Sequence, residues 1–388
     1  MVKIGDKKIS ADDFYKVLIS NLELKLDEEA LRKVYRSHYF LKEFTREKLI
    51  YGINTGFGPM AQYRINHDDQ MKLQYNLIRS HCSGSGNPIP EIDCKAVMLA
   101  RLNTLMQGFA GIHPDALILI KDLINKNISP VIYEHGGLGA SGDLVQLAHL
   151  ALTLIGEGEV YYNGIITSTA EVFKKENITP MEIHIREGLA LMNGTSAMSG
   201  IGMLNVIYAE NLMNWSLLAS ATIMELVQSF DDHYSTPLNE VKHHYGQNLV
   251  ANALQATLKD SKLVKSREEH HYNQKVEVDV LVEKMQEYYS IRCVPQIVGP
   301  IVDTVNYAKE VLINEINSAN DNPIVDWERK NVYHGGNFHG DYVALEMDKL
   351  KISITKLSML AERQLNFLLN NKNDNLIYQK LKEILSYL

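Results

Sequence analysis

The amino-acid sequence predicts a mainly α protein: a central bundle of long helices, a smaller N-terminal region of helices and loops, and one short β-hairpin. Two runs carry most of this expectation. Met203 to Phe230 and Asp341 to Leu369 hold a helical pattern throughout, and so many of their positions are apolar that each calls for other helices around it. A third observation is negative. After residue 180 almost no strand-like run separates the long helical segments, so a sheet of alternating strands and helices has no material.

The elements follow in order. From Ala96 to Asn125, Val97, Leu99, Leu102, Leu105, Met106 and Phe109 recur at three- and four-residue steps, as on one buried helix face. Pro114 breaks that helix and a second follows. Pro130 to Glu134 could form a short strand, and Asp143 to Ile155 reads as a helix. Glu159 to Tyr162 and Ile165 to Thr167 flank Asn163-Gly164, a pair that supplies the positive φ angles of a type I′ hairpin turn. No repeat of solenoid period or low-complexity tract occurs. Three parts are expected: residues 1–200 as a region of helices and loops, 201–376 with the bundle, and 377–388 as a short amphipathic C-terminal helix.

Composition narrows the function classes. With 388 residues and 45% hydrophobic content the chain can bury a large core. Its net charge of -8, from 39 basic and 47 acidic residues, leaves no basic stripe, which excludes nucleic acid as an expected partner. Cys82, Cys94 and Cys293 are odd in number and lack C-x-x-C spacing, so neither a disulfide framework nor a cysteine zinc site is expected. The N-terminal MVKIGDKKISADDFYKV has no signal-peptide core, and no apolar run suits a bilayer. The expectation is a cytoplasmic protein with no membrane partner.

Gly136 to Asp143, GGLGASGD, supports three readings. Gly137, Gly139 and Gly142 spell G-x-G-x-x-G, and Pro130 to Glu134, the helix from Asp143, and Glu157 or Glu159 stand where a dinucleotide-binding unit has its strand, helix and acidic residue. The rest of the chain lacks the alternation that such a fold requires. A second reading is a plain glycine-rich helix start with Asp143 as cap. A third is chemical: in a sharp bend at Ala140-Ser141-Gly142, the amide nitrogen of Gly142 attacks the carbonyl carbon of Ala140, unobstructed by any glycine side chain. Loss of one water from the ring and one from Ser141 leaves an exocyclic methylidene, an electrophile of the kind that cofactors usually supply.

The surrounding blocks resemble the aromatic amino-acid ammonia-lyases, which carry a 4-methylideneimidazol-5-one made from Ala-Ser-Gly. The resemblance covers YGINTGFGPMAQYRI (51–65), LQYNLIRSHCSGSGNP (73–88), GASGDLVQLAHLAL, REGLALMNGTS (186–196), QEYYSIRCVPQIVGP (286–300), NSANDNPIVD (317–326) and HGGNFHGDYVALEMDKL (334–350), in family order from about residue 45 to about residue 375. It implies the fumarase/aspartase-like long-helix bundle, the protein-derived electrophile from Ala140-Ser141-Gly142, and no metal or diffusible cofactor. Tyr51, in a glycine-rich loop, would be the base that removes the β-proton. Asn193 would donate to the carbonyl of the electrophile. Tyr289 matches the second active-site tyrosine, and Arg292 would grip the substrate carboxylate with its planar fork. By the same resemblance Gln286 would join the substrate-binding set with Asn320 and Phe338, Phe338 matching a position beside the electrophile, and Asn320 and Asn337 would brace the loops.

The implied reaction is non-oxidative elimination of ammonia from an aromatic amino acid, giving a trans α,β-unsaturated acid. Ser80-His81 aligns with the family's selectivity pair, and Ser-His occurs in histidine lyases as well as in bacterial tyrosine lyases of the flavobacterial type, which the whole-chain pattern resembles. Tyrosine is favoured, with histidine second, and an aminomutase would use the same residues. The family forms homotetramers with shared active sites. Family chains continue well beyond Asn375, so the C-terminal helical region is expected to be largely absent here, leaving apolar surface on 341–369 and a catalytically impaired helical homologue as the rival reading. His243-His244, His270-His271, His334 and His339 match no metal spacing and read as surface or loop residues.

Overall fold

The computed structural model describes residues 1–273, 275, 277, 279–280 and 285–369. The segment 377–388 lies outside the described residues. The chain divides into two compact units, Met1–Ile207 with Lys309–Leu345, and Tyr208–Ala308 with the residues from Glu346 onward.

In the first unit the helices begin where polar side chains can satisfy their free N–H groups. Ser10 and Asp13 form a reciprocal capping box on Ala11–Leu18, and Asp27 accepts from Ala30 N at 2.9 Å to start Glu28–Phe44. Glu91–Leu105 lies at the centre. The expected single buried face is an understatement: from Cys94 to Leu105 every residue is buried, including Lys95, Arg101 and Asn103. Phe109 departs from expectation the other way, 36% exposed, because the helix has already ended at Leu105. Pro114 opens the next helix, Pro114–Asn125, where its fixed φ and missing N–H cost nothing.

The hairpin forms as expected, Glu159–Tyr162 against Ile165–Ser168, with Asn163 and Gly164 at φ 53° and 78°. Ser129–Pro130 adds a third antiparallel strand beside Glu159–Tyr162. Tyr133–His135 pairs instead with Ser85–Pro88, also antiparallel. The dinucleotide reading of Gly137, Gly139 and Gly142 therefore fails, since the strand before the glycines belongs to no parallel sheet. Glu157, one candidate ribose ligand, is held by Arg79 Nη2 at 2.6 Å.

The second unit contains the remaining lengths of the helices Ser196–Leu226, Val294–Ile316 and Asp341–Leu369, together with Tyr245–Leu258. A side chain on Gly246 would stand 2.1 Å from Gly299 O, so two helices meet there backbone to backbone. Gln364 is buried and donates to Ser220 Oγ at 3.0 Å and Ser290 O at 3.1 Å, satisfying polar groups in an apolar interior. No helix among the described residues is long and apolar enough to cross a membrane.

Candidate active site

Pairing of Ser85 with His135 and Pro88 with Tyr133 carries the chain from the end of helix His67–His81 to the glycine-rich loop. At the loop's tip, β-bridges join Gly139 to Gly142 and Ala140 to Gly142, so the chain doubles back across Ala-Ser-Gly and presents Ser141 to solvent. Gly142 has φ 73°, and a Cβ there would lie 2.4 Å from Gly194 O. No L side chain fits that position. The Asp143 N–H donates to the same carbonyl at 2.8 Å, which pins the triplet against Asn193-Gly194-Thr195. A folded-back triplet with a bare glycine as its third member fits cyclisation.

Asp143 does not cap its own helix, Leu144–Leu154. Its buried Oδ2 accepts from Ala197 N at 2.8 Å and Met198 N at 2.9 Å, in the first turn of Ser196–Leu226. The side chain reaches another segment because those N–H groups are buried and need an acceptor. Burial pushes the Asp143 carboxyl up to about 7, against the pull of the two N–H donors and Arg101. A raised carboxyl pKa stabilises the fold below the unfolded value near 4, and that contribution is lost as pH rises through 7. The stability advantage of the wild type over Asp143→Asn is therefore expected to shrink between pH ~4 and ~7 and to level off above, as read from paired denaturant titrations.

Asn193 ends the helix Glu187–Met192. Its Nδ2 donates to Asp321 Oδ1 and Asn322 O, both at 3.0 Å, so both amide hydrogens are engaged. The expected donation to the electrophile's carbonyl requires one of these bonds to be given up. Arg186 Nη2 also donates to Asp321 Oδ1, at 3.2 Å, making an almost wholly buried ion pair. Arg101 donates to Asn193 O at 3.0 Å and to Ala190 O. Burial lowers the guanidinium of Arg101 to about 10, which leaves it charged at neutral pH.

Residues 317–340 close this side. Asn320 donates to Thr195 Oγ1 at 2.7 Å, and Thr195 donates to Glu315. Asn337 donates to Ala319 O at 3.2 Å, Gly335 N to Asn322 Oδ1 at 2.9 Å, and Gly340 N to Gly139 O at 3.0 Å. The segment carrying half-buried Phe338 is thus fastened directly to the Ala-Ser-Gly loop. Tyr51 meets Phe57 edge-on, and its hydroxyl accepts from Gly58 N at 3.3 Å. Gln74, fully buried, donates to Gly52 O at 2.9 Å and accepts from Leu189 N at 3.0 Å, tying the Tyr51 loop to the helix that ends at Asn193. His81 lies at the end of helix His67–His81, with Nδ1 2.9 Å from Leu77 O and 3.2 Å from Ser80 Oγ.

The first unit thus gathers Tyr51, Ala140, Ser141, Gly142, Asn193, Asn320 and Phe338 onto interlinked loops, with Ser80 and His81 at the end of a neighbouring helix. The second unit gathers Gln286, Tyr289 and Arg292: Arg292 Nη1 donates to Gln286 Oε1 and its guanidinium lies 4.7 Å from the centre of the Tyr289 ring. Gln286 and Arg292 border a cavity of about 340 Å³ that also meets Asp232, His233 and Arg267. Sequence reasoning missed Gln74, Arg101, Arg186 and Asp321. Their sequence surroundings carried no signal: the helix that holds Arg101 also holds Glu91, Asp93 and Lys95.

A mainly helical chain whose Ala-Ser-Gly loop is fastened to an Asn-Gly turn has the build of the ammonia-lyases and aminomutases. The chain belongs to the aromatic amino acid lyase family, whose sequence model matches residues 9–383. It is 39% identical over 368 residues to the tyrosine 2,3-aminomutase of Myxococcus sp. (strain Mx-B0), covering 92% of this chain and 69% of that protein. The histidine ammonia-lyase of Bacillus subtilis (strain 168) is 37% identical over 377 residues, covering 97% of this chain and 72% of the relative. Among solved structures, the tyrosine aminomutase from Streptomyces globisporus superposes with a TM-score of 0.91 at 34% identity, over 96% of this chain and 71% of that one.

Proposed function

We propose that the chain eliminates ammonia from an aromatic L-amino acid, converting L-tyrosine to trans-p-coumarate by preference and L-histidine to trans-urocanate second. The folded-back Ala140-Ser141-Gly142 turn, with Ser141 exposed and Gly142 under Gly194 O, carries this reading. Cyclised, the triplet would supply a carbon electrophile for the substrate amine or ring. The remaining work falls to ordinary side chains. Tyr51 takes the β-proton. Arg292 holds the substrate carboxylate with a guanidinium fork that Gln286 orients, and Tyr289 assists at the amine. Asn193 stabilises developing negative charge, while Asn320 and Phe338 hold and shape the surroundings of the loop.

His81 sets the choice of ring. The Leu77 carbonyl can only accept, so the hydrogen of neutral His81 sits on Nδ1 and Nε2 is left as an acceptor. A phenol O–H or an imidazole N–H satisfies it; a phenyl ring leaves it unpaired. His81→Leu is expected to lower kcat/KM for tyrosine by ~10²-fold while changing that for phenylalanine by less than ~10-fold. Initial rates of coumarate and cinnamate formation measure both, and equal losses on the two substrates contradict the assignment.

Incubation with tyrosine, histidine and phenylalanine, followed by absorbance of coumarate, urocanate and cinnamate, tests the main reading. No product from any of them contradicts it. A second reading is favoured by the names of the relatives, two of which are tyrosine aminomutases. Return of the ammonia to the β-carbon uses the same residues, and β-tyrosine in the product mixture distinguishes it.

A homotetramer in the cytoplasm completes the proposal. Tyr208, Leu212, Trp215 and Leu218 recur at helical spacing on Ser196–Leu226, each 47–64% exposed, and three unpaired cysteines agree with a reducing compartment. Sedimentation equilibrium is expected to give four chains; a monomer at micromolar concentration contradicts this.

A further inference from the structure

The first unit holds a second cluster of ligating side chains that the proposed reaction does not use. His113, Asp115 and His184 each place one ligand atom within 4.8 Å of the other two. His113 immediately precedes helix Pro114–Asn125, Asp115 lies in its first turn, and His184 arrives from a distant segment. The two imidazoles face each other with centroids 4.3 Å apart, and Asp115 Oδ2 stands 3.3 Å from His113 Nδ1. That separation is about the spacing between donors around a tetrahedral ion with bonds of ~2.0–2.2 Å, and because His113 Nδ1 also accepts from Asp115 N at 3.3 Å, an ion taken by Nδ1 replaces that cap bond.

Two further observations favour a cation here. The backbones of both histidines are fixed by one carboxylate: fully buried Glu187 accepts from His113 N at 3.1 Å and from His184 N at 2.8 Å. The two ligand-bearing segments therefore cannot drift apart without stranding a buried charge. A cavity of about 620 Å³ also opens beside Asp115 and His184, bordered by Asp122, Glu176 and Glu182, with Lys126 paired to Glu176. Its lining attracts positive charge more than negative. The positive end of helix Pro114–Asn125 opposes a cation weakly, and the carboxylates of Asp115 and Glu187 offset it.

We propose that His113, Asp115 and His184 bind a divalent transition-metal ion of the zinc, nickel or copper type. Two imidazoles and one carboxylate select such an ion over magnesium or calcium, which prefer oxygen alone. The donors must draw together by about 1 Å, and the exposed side chains of Asp115 and His184 can turn to do so.

The test is calorimetric titration of the untagged, chelator-stripped chain with zinc chloride. One ion per chain is expected to bind the wild type and the double variant His243→Gln/His244→Gln, whose histidines are exposed and lie elsewhere. His184→Gln and Asp115→Asn are expected to lose that ion while keeping the wild-type circular dichroism spectrum. Zinc is expected to raise the thermal midpoint of the wild type and not that of His184→Gln. Absence of binding to the wild type, or unchanged stoichiometry in His184→Gln, overturns the proposal.

Discussion

Replacing Ser141 by alanine is expected to reduce product formation from tyrosine by on the order of 10³-fold or more while leaving stability within ~0.5 kcal/mol of wild type. The two halves of this expectation come from one fact. Ser141 is exposed at the tip of a doubled-back turn, so its hydroxymethyl group contributes little to packing. Its β-carbon is nevertheless the only atom of the loop from which a methylidene can be made, because residues 140 and 142 are alanine and glycine. Loss of activity with an unchanged denaturant midpoint separates a chemical role from a structural one. Retention of about a tenth of the wild-type rate or more means that the chemistry does not pass through this residue.

Asp321→Ala is expected to cost about 3–5 kcal/mol of stability. Asp321 is buried and its Oδ1 accepts from both Arg186 and Asn193. Removing the carboxylate strands a guanidinium with no exposed surface and one amide hydrogen of Asn193. Asp321→Asn keeps an acceptor of the same shape and should cost less. Because Asn193 adjoins Gly194, whose carbonyl holds Asp143, the alanine variant should also lose product formation at temperatures where circular dichroism shows it folded. Urea titration gives the first quantity and initial rates the second; a change below ~1 kcal/mol contradicts the account of the network.

Much of the fold was legible because its signals are local. Asn163-Gly164 dictates a tight turn wherever it occurs between strand-like runs, and the apolar density of Asp341 to Leu369 is visible without knowing its neighbours. The Glu91–Leu105 helix shows where this stops. Lys95, Arg101 and Asn103 fall outside the apolar repeat that marks this helix, yet all are buried, taken by Asn21 and Asn127, by Ala190 and Asn193, and by Ile316. Such partners lie tens to hundreds of residues away, where periodicity carries no information. The return of residues 309–345 to the first unit has the same cause.

The candidate site divides in the same way. The Ala-Ser-Gly triplet and the Tyr51 and Asn193 blocks were readable as motifs. Their supports were not: Asp143 looks like the cap of the helix that follows it and instead caps Ser196–Leu226, and Gln74 gives no hint of the loop that it holds. The pairing of His113 with His184 is likewise invisible in sequence, since Glu187 brings them together only in the folded chain.

The most direct test of the central claim is the mass of the purified, denatured wild-type chain, localised by peptide mapping to residues 140–142. Cyclisation and dehydration predict a mass lower by two waters there, absent in Ser141→Ala. An unmodified Ala140-Ser141-Gly142 peptide in the wild type contradicts it.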